Sequence, residues 1–126
     1  MLDYVAENMF LQLKHKNLEV YLFAERLVIE CYRLANTLPT EEKWGLSSQI
    51  RRASVSVILN IAEGCSRVSK RERNRFLEIA RSSLSELDTA LSIGTKLGFL
   101  ALDSNHQVGQ LMNSCFAMLS KMIISP

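Results

Sequence analysis

Residues 69–98 read SKRERNRFLEIARSSLSELDTALSIGTKLG, the pattern of one long helix. Ser69 and Glu72 fit the S-x-x-E capping box. Phe76, Ala80, Leu84, Leu87 and Leu91 then recur three and four residues apart, and Gly98 is a natural C′ residue. A helix over 70–97 spans roughly 42 Å at ~1.5 Å per residue. Upstream, a second helical segment runs over 47–64, ending at Gly64. A first runs over 18–36, with Asn17 as its N-cap and Pro39 closing it. In that first segment Leu22, Val28, Ile29, Tyr32 and Ala35 recur at helical spacing. Downstream, Ser104 and Gln107 form a second capping box ahead of Val108, Leu111, Met112, Cys115, Leu119, Met122 and Ile123. Four amphipathic helices on short loops predict an all-α, antiparallel up-down four-helix bundle over 18–126. Residues 1–17 are expected to be an N-terminal extension, with a short extra helix over 3–13.

Composition agrees. The chain has 126 residues, 48% of them hydrophobic, with only 5 Gly and 2 Pro, too few turn formers for an all-β fold. Its 3 Cys show no CxxC spacing, so a cytoplasmic protein without disulfides is expected. Neither a signal peptide nor a membrane span is read, and no membrane partner is expected.

The second segment is apolar in two directions. At 100° per residue Ile50, Ser54, Val57, Ile61 and Gly64 share a bundle-facing stripe, while Val55 and Leu59 fall opposite, beside Arg52 and Glu63. A helix apolar on two faces is normally buried on both, which predicts a second copy of the chain against Arg52, Val55, Leu59 and Glu63. The alternative is scattered surface hydrophobes. An intersubunit Arg52–Glu63 pairing follows from the first reading.

The net charge of +2 hides an asymmetry. Residues 43–81 hold nine basic and three acidic side chains; the rest hold six and ten. The candidate phosphate contacts are Arg67, Lys70, Arg71, Arg73, Arg75 and Arg81, because guanidinium forks suit phosphate oxygens. The alternative is a solvated charged face. Phe76 is the only aromatic among them, so contact with nucleic-acid backbone is favoured over base stacking.

Catalytic patterns are missing: no Gly-rich phosphate loop, H-E-x-x-H, G-x-S-x-G or paired E-x-x-H. No catalytic residue, metal ligand, cofactor or small-molecule substrate is assigned, and a non-enzymatic protein is expected. His15 and His106 read as exposed surface residues and Trp44 as an apolar plug on the bundle end. Cys65, among basic residues, reads as a structural thiol or as one with a lowered pKa.

The string Leu38-Pro39, Glu41-Glu42, Gly45-Leu46, Gln49, Arg51-Arg52-Ala53, Val55-Ser56, Asn60-Ile61-Ala62-Glu63-Gly64, Arg67, Ser69-Lys70, Arg75-Phe76-Leu77 resembles the 23S ribosomal RNA intervening-sequence family. The likeness covers residue 18 to the end. It departs at Ile58, where the family often has Pro, which predicts a continuous second helix. The resemblance implies a four-helix bundle, commonly a homopentameric ring, without known enzymatic activity. A related bundle is the accessory variability protein of retroelements, with a basic surface suited to RNA or DNA. The resulting expectation is a homo-oligomeric bundle that binds nucleic acid, most simply structured RNA. The alternative is a scaffold for a partner protein.

Overall fold

The computed structural model describes residues 10–124. Among these residues four α-helices form: α1 Glu19–Ala35, α2 Leu46–Cys65, α3 Lys70–Lys96 and α4 Gln107–Ile124. Short 3-10 turns lie at Lys14–Asn17 and Thr40–Glu42. Each helix packs antiparallel on its chain neighbours and α4 closes back on α1, giving a four-sided bundle. Most of the expected helix over 3–13 lies outside the described residues.

The ends follow local chemistry. Ser69 Oγ accepts the Glu72 N–H at 3.0 Å and starts α3. At its other end Gly98 takes φ +82, a left-handed conformation that suits glycine. α2 begins at Leu46, whose N–H is accepted by Glu42 Oε1 at 3.2 Å, and runs unbroken through Ile58. Asn17 does not cap α1. It closes the 3-10 turn, Leu18 takes the N-cap position without a side-chain bond, and the Leu18 N–H is satisfied by His15 O at 3.0 Å.

The expected inner stripe of α2 is the observed one: Ile50, Ser54, Val57, Ile61 and Gly64 are all buried. In α1 the stripe is different. Leu22, Ile29 and Tyr32 are exposed, while Val20, Ala24, Leu27, Cys31 and Ala35 are buried. Two stripes of helical spacing overlap there, and the inward one carries Ala24, Cys31 and Ala35, whose small side chains let neighbouring helices approach. Polar threads tie the bundle together. Ser47 Oγ donates to Ala35 O at 3.1 Å, and Asn60, Ser56 and Ser83 form a chain of hydrogen bonds between α2 and α3.

Candidate nucleic-acid interface

The turn from α2 into α3 is built on a close approach at Gly64. A Cβ there would meet the Arg73 carbonyl oxygen at 3.1 Å, Leu77 Cδ2 at 3.3 Å and Phe76 Cβ at 3.3 Å. That contact brings the end of α2 onto the first turns of α3, and Arg67, just past it, falls over the Phe76 ring. The Arg67 and Arg75 guanidinium carbons lie 4.8 and 5.3 Å from that ring's centre. Glu63 approaches Arg67 at 3.4 Å and Glu72 approaches Arg75 at 3.7 Å. Exposed pairs of this kind add little stability, about 0–1 kcal/mol each. Their effect is orientation: two guanidiniums are held on one ring with their outer edges in solvent.

The other expected contacts distribute around this pair. Arg71 is exposed, four residues before Arg75 on the same outer face of α3. Lys70 and Arg73 line a cleft on the side toward α4, where Lys121 joins them. Arg81 is drawn away. It lies about 16 Å along the helix from Lys70, its Nη1 donates to Ser120 Oγ at 3.2 Å, and its guanidinium covers Phe116 at 5.7 Å. The structure therefore gathers Arg67, Lys70, Arg71, Arg73 and Arg75 at one end of the bundle and leaves Arg81 on its flank. Sequence reading missed Lys121, which sits far along the chain in an apolar stripe, and it missed the ordering role of Phe76.

The residues read as an oligomer face do lie outward. Leu59 is 61% exposed, Val55 is half-buried, and Tyr32 from α1 lines the same groove. Arg52 Nη2 donates to Gln49 Oε1 at 2.8 Å, while Glu63 pairs with Arg67 and accepts from Ser66 Oγ. Within the chain, Arg52 and Glu63 therefore have separate partners.

Several other expectations change. Trp44 is 83% exposed and lies under Lys43 Nζ at 5.2 Å, so it plugs nothing. Leu46 and Leu100 fill that end of the bundle against Gly94. Burial pushes the Cys65 thiol up, and the Arg73 charge only partly opposes it, so the thiol is not activated. Burial also pushes Cys31 up to about 12, with Glu30 adding to the rise, and Cys115 up to about 11. His106 is not a surface residue. Its Nδ1 accepts the Val108 N–H at 3.1 Å, and its Nε2 lies 3.9 Å from Glu30 Oε1. His15 is half-buried, edge-on to Tyr21 at 5.2 Å. Among the described residues no His, Cys, Asp or Glu cluster is arranged to hold a metal ion. Nor, among them, is any helix long and apolar enough to cross a membrane.

Comparison with known proteins bears on the fold and the family. A protein of unknown function from the S23 ribosomal protein family of Bacteroides thetaiotaomicron VPI-5482 has a similar structure, with TM-score 0.76 and 20% identity, covering 84% of this chain and 99% of that one. At that identity the likeness speaks for the fold. No curated protein matches the sequence. The family model for the 23S rRNA-intervening sequence protein matches residues 16–121, from the 3-10 turn before α1 to Lys121 in α4, and the chain belongs to that family.

Proposed function

We propose that this protein is a non-enzymatic homo-oligomer, a pentamer in the simplest case, that binds the backbone of structured RNA through the basic end of the bundle. The observation that carries the reading is the convergence of Arg67, Lys70, Arg71, Arg73 and Arg75 around the α2–α3 turn, with two guanidiniums ordered on Phe76. Ordered guanidiniums lose less freedom on meeting phosphate than free side chains do. The outward groove with Tyr32, Val55 and Leu59 supports self-assembly, because apolar side chains there gain by being covered. A ring of copies would repeat the basic end around its axis and multiply the phosphate contacts.

The test is affinity for a structured RNA measured against salt. Each phosphate contact contributes about 0.7–0.9 to the log–log slope, so the double variant Arg71→Ala/Arg75→Ala should flatten it by roughly 1.4–1.8 per bound chain. Retention of no RNA or DNA at low salt defeats the proposal.

A protein-scaffold reading draws on Trp44, an exposed aromatic of the kind that anchors protein interfaces, at the opposite end of α2. Recovery of a stoichiometric protein partner after nuclease treatment, lost in Trp44→Ala, would favour it.

A further inference from the structure

At the basic end of the bundle the first turn of α1, the first turn of α3 and the last turns of α4 leave a cleft of about 630 Å³. That volume falls within the roughly 300–1,000 Å³ common for small-molecule sites. Its apolar lining comes from Leu18, Val20, Met118 and Met122, and the two thioethers adapt easily to ligand shape. Lys70, Arg73 and Lys121 line it as well, one of them from α4 and two from α3. Among the described residues none of these three cations has a carboxylate within ion-pair distance, in contrast to Arg67 and Arg75 nearby. Glu19 is the one acid on the lining, so cations outnumber acids three to one.

An apolar cleft ringed by an excess of cations, with no ion pair to them among the described residues, matches a ligand with an apolar body and one anionic head. We propose that this cleft binds a small amphipathic anion, its alkyl part against Leu18, Val20, Met118 and Met122 and its carboxylate or phosphate head at Lys70, Arg73 and Lys121. A free inorganic phosphate would leave the apolar wall uncovered, and a cationic amphiphile would meet three like charges. The site shares Lys70 and Arg73 with the proposed RNA surface, while Lys121 and the apolar lining are its own.

The experiment is calorimetric titration of the full-length protein, below the micelle threshold, with octanoate, decanoate, dodecanoate, dodecyl phosphate, dodecyltrimethylammonium and inorganic phosphate. One saturable site per chain is expected for the anionic amphiphiles. Each added methylene should tighten binding about fourfold until the cleft is full. Comparing dodecanoate with dodecyl phosphate tells which head the cations prefer. Arg73→Ala and Lys121→Ala, both at exposed positions, should each weaken dodecanoate two- to fivefold while leaving the helical circular dichroism unchanged. The proposal is overturned by an affinity that ignores chain length, by equal binding of dodecyltrimethylammonium, by the absence of saturable binding of any anionic amphiphile, or by full affinity in both variants. The RNA titration on the same preparation is read separately, so loss of one activity does not stand for loss of the other.

Discussion

The same substitution at two glycines should have opposite effects. Gly64 and Gly109 both lie within helices, α2 and α4. An alanine in either removes the conformational freedom that glycine must give up on folding, a gain of about 0.5–1 kcal/mol. At Gly109 a Cβ would meet nothing within 4 Å, so Gly109→Ala keeps the gain. At Gly64 it would press on a backbone carbonyl at 3.1 Å and on Leu77 and Phe76 at 3.3 Å. The carbonyl belongs to the first turn of α3 and is not free to swing aside, so relief requires moving α2 from α3. Overpacking of this kind costs about 1–3 kcal/mol. Gly64→Ala should then range from neutral to about 2.5 kcal/mol destabilising. Because the propensity gain is common to both variants, the difference between them reports the steric cost alone. Urea unfolding followed by circular dichroism, at one protein concentration so that any assembly contributes equally, resolves it. In thermal melts the gap should appear as roughly 4 °C per kcal/mol for a chain of this size. Gly64→Ala as stable as Gly109→Ala would refute the close approach, and with it the reason that Arg67 reaches Phe76.

Further outcomes are as concrete. Leu59→Glu, which puts a charge in the outward groove, should shift the mass by light scattering from an oligomer to a single chain of 14.3 kDa; an unchanged mass argues against that face. Glu30→Ala should cost about 1–3 kcal/mol in urea unfolding, since Gln107 and Arg33 lose their shared acceptor, and it should speed amide exchange at Val108 in the first turn of α4. The buried thiols predict alkaline sensitivity: the unfolded chain ionises Cys31 and Cys115 near 9.0, but the folded chain holds their protons to about 12 and about 11. Their contribution is therefore complete below about pH 9 and declines as pH rises through that window, and Cys31→Ala should show a shallower decline.

The four helices were readable because each carries its own boundary chemistry and period. The α3 segment is recovered to within a residue at its end, since Ser69 and Gly98 mark it locally. What could not be read depends on partners distant in the chain. Two candidate stripes in α1 have the same spacing, and only packing on α2 and α4 selects the one with Ala24 and Cys31. Trp44 looks like core by composition, yet the end of the bundle is already filled by Leu46 and Leu100 against Gly94. The basic cluster was legible because its members lie within nine residues of one another, from Arg67 to Arg75. Lys121 was not, because antiparallel return of α4 brings it there. Arg81 was misplaced in the group for a related reason, as Phe116 and Ser120 of α4 hold it.

The start of α4 shows the same physics at a finer scale. Residues 104–107 have the letters of a capping box, but α4 begins at Gln107, so Gln107 is its first helical residue and not its third, and Ser104 lies in the turn before it. The Gln107 Nε2 donates instead to Glu30 Oε2 at 2.7 Å. Glu30 is only 8% exposed, and a buried carboxylate needs donors. Arg33 on its own helix supplies one at 3.4 Å, and the beginning of α4 supplies the other. The Val108 N–H is taken by His106 Nδ1 at 3.1 Å. The other ring nitrogen, His106 Nε2, lies 3.9 Å from Glu30 Oε1, beyond hydrogen-bond distance. One acid in α1 thus holds the first residue of α4, while the neighbouring His106 ring supplies the cap. A substitution in α1 can for that reason loosen the first turn of a helix 77 residues later in the chain.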